Sequence, residues 1–373
     1  MKKYQVFSLI IFTFLMFGGR SLFCENIESL IKEIFSVPSP TGYEENLAVK
    51  IKELLPAAVP VEKDNLGSLY VYWGKDKFNA AFLAGIDEYG YFVSNITSDG
   101  YLNLDRAVRA PHHLFDSMFF GHPMLVHSEK GMVEGVLALP SLHILSSERR
   151  RELESLFILD NAYLDIGAKS RQEVIDRGVR FLDPVTPVTD ITALSGEKIS
   201  GYSLGRKICA ALLLDLMLEA SGQNLPQGNV VVWLAQSLFP VRGIRPPSSL
   251  GSLRAEKVLA VSDLFFLDIY PCGIHPDDQV DLGKGPVLLA MGKVKTKTVL
   301  RVEKCADRAS VVLQSADEFH SMLLPSHMGN SKECVCLCLP VRAAFTPSEI
   351  ISWKDVRDIQ KLLIELWNGE NLK

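Results

Sequence analysis

Positive charge is not in surplus in this chain of 373 residues: 39 Lys and Arg stand against 44 Asp and Glu, a net of −5. With no basic stripe interleaved with aromatics, the composition argues against a nucleic-acid partner. No stretch has the low hydrophobicity and high charge of a disordered segment, and no internal repeat or low-complexity tract is present. Long hydrophobic runs are scarce as well. The run from Val6 to Phe17 has twelve residues, short of the ~20 that a membrane-crossing helix needs. Lys2 and Lys3 precede it, and Gly18, Gly19 and Arg20 follow, as around the core of a secretory signal. Residues 1–24 therefore read as a leader and the mature chain as secreted or periplasmic. Because Arg20-Ser-Leu-Phe-Cys24 is a poor cleavage site, membrane association through this segment is the alternative. Cys24 is a lipidation candidate, although the Phe23 before it is bulky.

Cysteine is present but unframed. Cys24, Cys209, Cys272, Cys305, Cys334, Cys336 and Cys338 show no disulfide spacing. The last three alternate with the period of a strand and share one face, unlike a Cys-x-x-Cys metal knuckle, so they read as small buried hydrophobes. The histidines offer no chelating pair: His112 and His113 point apart on a strand, and His143, His275, His320 and His327 lack the spacing of a known site. Ser237 has no Gly-x-Ser-x-Gly setting for a nucleophile. Lys207 as activator of Ser203 or Ser237 is the remaining nucleophilic idea. Gly283-Lys-Gly-Pro286 is too short for a phosphate loop and reads as structural.

What is there is an α/β pattern interrupted once. Helical spacing covers Asn26 to Phe35, and Thr41 with Glu44 forms a capping-box pattern opening a helix to about Leu55. Val61 to Trp73 reads as strand, tight turn, strand, and Phe82 to Ile86 as a short buried strand. From Tyr91 the runs shorten and alternate (Tyr91 to Ile96, Met124 to His127, Gly131 to Leu137), with helices near Ser146 to Leu156 and Gln172 to Arg177. Past Gly201 the alternation of helix and strand returns: a helix over Lys207 to Ala220, strands at Val230 to Leu234, Val258 to Val261 and Cys334 to Leu339, and a closing helix over Asp355 to Trp367. The implied organisation is an α/β domain over 25–90 and 198–373 with a β-rich insertion over 91–197.

Several pieces then resemble one family in order. They are Ser39-Pro-Thr-Gly-Tyr-Glu44, Asp64-Asn-Leu-Gly67, Ala84-Gly-Ile-Asp-Glu-Tyr-Gly90, Leu164-Asp-Ile-Gly-Ala-Lys-Ser-Arg-Gln-Glu173, Leu282-Gly-Lys-Gly-Pro286 and Pro340-Val-Arg342. Together they resemble the M42 metallo-aminopeptidases, of the glutamyl and tetrahedral aminopeptidase type, over nearly the whole mature chain. The resemblance implies a three-layer zinc-peptidase-like α/β domain, an inserted β-barrel-like domain used in dimerisation and assembly, and a homo-oligomer. It also implies chemistry at two zinc or cobalt ions that polarise a peptide carbonyl and acidify a water, with a Glu as general base.

Against that pattern the ligand positions are depleted. The first His falls at Gly85, the bridging Asp at Gly205 with Arg206 beside it, the second-metal Glu at Leu238 and the last His at Phe345. The general-base position holds Ser237. Asp87 and Asp263 are retained. Gly, Leu and Phe have no side-chain donor, and a guanidinium at the centre opposes a dication. Arg206 is expected to tie Asp87 to Asp263, and Arg206 and Lys207 are the cleft candidates for binding. The sequence reading is thus a pseudopeptidase with no cofactor, serving peptide binding or assembly, with an active M42 paralogue as a further partner. The alternative is a metal-dependent aminopeptidase or altered hydrolase.

Overall fold

The computed structural model describes residues 22–74, 77–155, 159–188, 190–223, 225–241, 248–273, 279–290, 296–316 and 333–369. The leader read at 1–24 lies, up to residue 21, outside them, as do His275, His320 and His327. No helix of the described residues is long and apolar enough to cross a membrane.

The helices are α1 (Leu22–Phe35), α2 (Glu45–Leu54), α3 (Ser147–Ser155), α4 (Arg171–Asp176), α5 (Leu204–Gly222), α6 (Leu250–Val258), α7 (Lys297–Ala309) and α8 (Trp353–Asn368). The main sheet has eleven strands: β1 (Glu62–Lys63), β2 (Leu69–Trp73), β3 (Ala80–Gly85), β10 (Thr192–Leu194), β11 (Lys198–Gly201), β12 (Asn229–Leu234), β15 (Asp263–Cys272), β16 (Val287–Ala290), β17 (Gln314–Ser315), β18 (Glu333–Arg342) and β19 (Glu349–Ser352). Its path runs β1-β2-β12-β3-β15-β18-β19-β11-β10, with β16 on β18 and β17 on β16. The remaining long strands are β4 (Tyr91–Ile96), β5 (Leu102–Arg106), β6 (Pro123–Ser128), β7 (Gly131–Ala138), β8 (Tyr163–Asp165) and β9 (Pro184–Pro187), which close a six-stranded barrel in the order β4-β5-β8-β7-β6-β9. A two-residue pair, β13 (Pro240–Val241) with β14 (Ser248–Ser249), stands apart.

Period-two alternation builds three layers. Val231 and Trp233 of β12, with Val335, Leu337 and Leu339 of β18, join the cluster covered by α1, α2, α5, α7 and α8. Val230, Val232 and Leu234, with Cys336 and Cys338, enter the cluster on the other face, which includes Ala255 of α6. Because β12, β3, β15 and β18 are parallel neighbours buried on both faces, their sequences are near-continuous apolar runs. The barrel carries a separate core around Tyr91, Phe119, Leu137 and Leu164. Described cysteines are free: Cys209, Cys272, Cys305, Cys336 and Cys338 are buried and Cys334 half-buried. Cys336 and Cys338 share a strand face, and their side chains lean together so that the two Sγ atoms lie 3.3 Å apart.

Four readings change. The barrel ends with β9, while β10, inside the insertion drawn to residue 197, pairs with β11 in the main sheet. The apolar run Val258 to Val261 is the end of α6 and an irregular loop, and the strand begins at Asp263. The first helix starts at Leu22, four residues before the spacing predicts. The capping box does not form: α2 starts after Glu44, whose side chain makes no cap bond, and the Thr41 hydroxyl donates to Asp87 Oδ2 at 3.0 Å. Glu44 is drawn instead to the backbone N–H groups of Gly42 and Gln236.

Candidate functional site

In an open sheet of parallel strands, ligands sit beyond the carboxyl ends. Here β3 ends at Gly85 beside Leu234 of β12, and β15 pairs Leu267 with Ala84, which brings Asp268 alongside Gly85. The amino end of α5 faces this rim. Ser203, Gln236, Ala343 and Phe345 all adopt left-handed backbone there, at φ between 51° and 62°. Such non-glycine conformations cost about 1–3 kcal/mol each and persist where surrounding structure holds them.

At the centre lies Arg206. Its Nε donates to the carbonyl of Asp87 at 3.0 Å, Nη1 to Asp268 Oδ1 at 3.1 Å and Nη2 to Asp87 Oδ1 at 3.1 Å. Nη2 also meets Ser237 Oγ, and the Ser237 hydroxyl donates to Asp87 Oδ1. The backbone N–H of Leu238 donates to Asp87 Oδ2 at 2.8 Å. All three charged side chains are nearly sealed from solvent, at 6%, 0% and 11% exposure for Arg206, Asp87 and Asp268. Burial works against charge on Arg206, but Asp268 and Asp87 outweigh it and hold its pKa above the ordinary value. Burial pushes the Asp268 carboxyl up, while Arg206 and the Ile269 N–H oppose the rise.

Lys207 points elsewhere. Its Nζ donates to the Val37 carbonyl and Ser39 Oγ, both at 2.7 Å, and lies 3.6 Å from Glu88 Oε2. Burial lowers its pKa and Glu88 opposes the fall. It is therefore a buried strut under the cleft: its backbone N–H donates to the Ser203 carbonyl at 3.3 Å, and the Nζ partners are Val37, Ser39 and Glu88 rather than the hydroxyl of Ser203 or Ser237.

Five buried acids, Glu44, Asp87, Glu88, Asp268 and Glu349, surround these two cations. The two that form no ion pair among the described residues are the two pushed up to about 7. Glu44 is raised by burial and by Asp87, and restrained by the Gly42 and Gln236 N–H groups. Glu349 is raised by burial and restrained by the Gly205 N–H at 3.0 Å and the Phe345 N–H at 3.1 Å. Glu349 thus satisfies an amide that the first turn of α5 leaves without a helical partner.

The expected positions separate. Gly85, Arg206, Ser237, Leu238 and Asp87 come together. Gly205 does not face the same space: a Cβ there would lie 2.5 Å from Ile269 Cγ2 and 2.9 Å from Val341 Cγ2, so this turn sends only Arg206 into the cleft. Phe345 is half-buried, its ring edge-on to Tyr89 at 6.0 Å. Asp263 lies at the opposite end of β15, bonded to Arg301 Nη1 at 2.8 Å and to the Thr298 hydroxyl at 3.0 Å. It is about 16 Å from Asp268 along the strand, at ~3.3 Å per residue. Arg206 therefore joins Asp87 to Asp268, and the expected tie to Asp263 is corrected. Reading the strand five residues early displaced its functional end by the same step.

A profile of the M42 glutamyl aminopeptidase family matches residues 67–362. The chain is 25% identical over 348 residues to the lysyl aminopeptidase of Pyrococcus furiosus, covering 89% of this chain and 94% of that protein. In fold it matches a TET aminopeptidase from the marine sediment archaeon Thaumarchaeota archaeon SCGC AB-539-E09, with a TM-score of 0.80 and 24% identity over 93% of this chain and 98% of that one. It also matches the TET1 peptidase of Pyrococcus horikoshii, which assembles into a tetrahedron or a large octahedral shell, with a TM-score of 0.77 and 21% identity over 91% and 99% of the two chains.

These matches overturn the expectation that no cofactor is used, because M42 aminopeptidases are metal-dependent and the family match points to metal use. The residues at the centre of the cleft nevertheless do not fit an ion. Arg206 fills the space between Asp87 and Asp268, Gly85 and Leu238 bring no side-chain donor, and no group of three or more His, Cys, Asp or Glu among the described residues is arranged to hold a metal. No chemical step is therefore derived through a metal at this place.

Proposed function

The chain belongs to the M42 peptidase family, and from that premise we propose an aminopeptidase-like protein that is catalytically silent at the family's dinuclear position and keeps its cleft and barrel for peptide binding and assembly. One observation carries this reading: the guanidinium of Arg206 sits, sealed and paired, between Asp87 and Asp268. A hydrolase of this family needs a polarising cation and an ionised base beside a water. Here Ser237, at the base position, is engaged with Arg206 and Asp87, and among the described residues no histidine bonds to it.

The strained rim supports the binding half of the reading. Four non-glycine residues held in left-handed conformations keep the loops around the cleft in a defined shape. The assembly half is supported by the relatives: TET aminopeptidases of this fold form dodecamers and larger shells, and we extend homo-oligomerisation to this chain on that basis. Location joins the proposal on sequence grounds, with Lys2, Lys3 and the apolar run Val6 to Phe17 supporting export.

The second reading, a metal-dependent aminopeptidase, is favoured by the metal dependence of the family itself. One experiment separates the two. The purified protein is incubated with excess zinc or cobalt, its bound metal is measured, and leucyl, lysyl and glutamyl p-nitroanilides are offered. The expected outcome is no metal-stimulated release of nitroaniline. Metal-dependent release that a single substitution abolishes would establish the second reading and end the first.

A further inference from the structure

We propose that Arg206 is a built-in replacement for a bound cation, interlocked with Gly85, and that the cleft is a latent divalent-cation site opened by removing the guanidinium. The proposal rests on the reading of a cleft closed to dinuclear hydrolysis.

A Cβ built on Gly85 would lie 2.1 Å from Arg206 Nη2 and 3.1 Å from its Cζ, and 2.1 Å from Ser237 Oγ. No side chain larger than hydrogen fits at position 85 while the guanidinium stays where it is. The two residues are therefore complementary: the space a side chain at 85 would claim is the space Arg206 fills. The backbone of Gly85 is not left-handed, so its small size answers to this contact and not to its conformation.

Electrostatic evidence is independent of that fit. Asp87, just past the end of β3, and Asp268, within β15, converge on one guanidinium, nearly sealed from water. Such a pair needs a cation between it. A guanidinium supplies one permanently, because it does not give up its proton in proteins, and its planar fork reaches both carboxylates at once. A metal ion in the same place would meet Nη1 and Nη2 at contact distance, so the two cations exclude each other. With the side chain cut back to Cβ, the vacated space is lined by Asp87, Asp268 and the Ser237 hydroxyl, an oxygen-donor set suited to a small divalent ion.

The test is a double-substitution cycle with metal added as a second axis. Gly85→Ala is expected to lower the urea midpoint in the wild-type background and to lower it less in Arg206→Ala, where Ser237 Oγ is the one close contact left to the added Cβ. Equal losses in both backgrounds would overturn the interlock. Excess zinc chloride is expected to raise the midpoint of Arg206→Ala, with no rise in Arg206→Ala/Asp268→Asn. A zinc-dependent rise in the wild type that Asp268→Asn removes would overturn the mutual exclusion, as would a folded Arg206→Ala that zinc leaves unmoved. Should Arg206→Ala fail to fold, Arg206→Lys keeps a cation while withdrawing the fork, and Gly85→Ala is then expected to cost less in it than in the wild type, only the Ser237 contact remaining; an undiminished loss overturns the interlock. The result is separable from the functional reading: nitroanilide turnover by the wild type sinks that reading, whereas an additive cycle sinks this inference with the turnover result unchanged.

Discussion

Replacing Glu349 by Gln isolates the electrostatic cost of the buried cleft. Glu349 is 3% exposed on β19 and accepts from the Gly205 and Phe345 N–H groups, yet its pKa is pushed from 4.5 up to about 7, chiefly by burial. The folded value lies above the unfolded one, so between the two the folded chain retains a proton that the unfolded chain has released. Stability therefore falls as pH rises through this window: the penalty is absent below about pH 4.5 and complete above about pH 7. At ~1.4 kcal/mol per unit, its full size is about 3 kcal/mol. The variant cannot ionise, but its carboxamide turns an NH2 toward one of the two N–H donors, a loss of about 1–3 kcal/mol that does not vary with pH. The informative quantity is the difference in unfolding free energy between wild type and Glu349→Gln, measured by urea titration from about pH 4.5 to about pH 8. Taken as wild type minus variant, it is expected to fall by about 3 kcal/mol across that range, from about 1–3 kcal/mol in the wild type's favour to about zero or below. Parallel stability curves would refute the assignment of a raised pKa to Glu349, and a difference growing with pH would reverse its sign.

Two further substitutions probe the frame of the cleft. Lys207→Met is expected to cost about 3–5 kcal/mol, because it leaves Glu88 buried without its cation, and Glu88→Gln in the same chain is expected to recover most of that loss; equal urea midpoints for the single and double variants would show the pair to be idle. Gly205→Ala is expected to cost about 1–3 kcal/mol through overlap with Ile269 and Val341, in excess of the ~1 kcal/mol gained in helix propensity; a variant that melts above the wild type would contradict that packing.

The parts of the site legible in the sequence were those carried by flanking motifs. Ala84-Gly-Ile-Asp87 and Gln236-Ser-Leu238 mark strand ends, and the structure brings Gly85, Asp87, Ser237 and Leu238 within one network. Asp268 was missed because it interrupts the apolar run Leu264 to Tyr270, where a buried acid looks like an exception to the strand. The signal that locates it is that run itself, longer than Val258 to Val261 and matched to the buried parallel strands. Glu349 and Glu44 were hidden for a different reason: each is defined by backbone N–H groups of loops distant in sequence, which no local spacing reports. The barrel and the main sheet were legible from the shift in run length at Tyr91, while the return at β10 was not, since its three residues, all exposed, carry no burial pattern.

The thiols bear on how the chain would fare if, as proposed, it were exported to an oxidising compartment. Of the six cysteines from Cys209 to Cys338, five are buried and one is half-hidden, and burial raises the pKa of Cys209, Cys305, Cys334 and Cys338, which suppresses the thiolate through which oxidation and exchange proceed. Folding thus acts as the protecting group for chemistry the sequence leaves open. Each excursion to the unfolded state releases all of these thiols together, three of them within five residues of β18, and a crosslink formed there would prevent the strand from re-entering the sheet. In an oxidising compartment the lifetime of the protein is then governed by how rarely it opens, a kinetic property set by the central sheet.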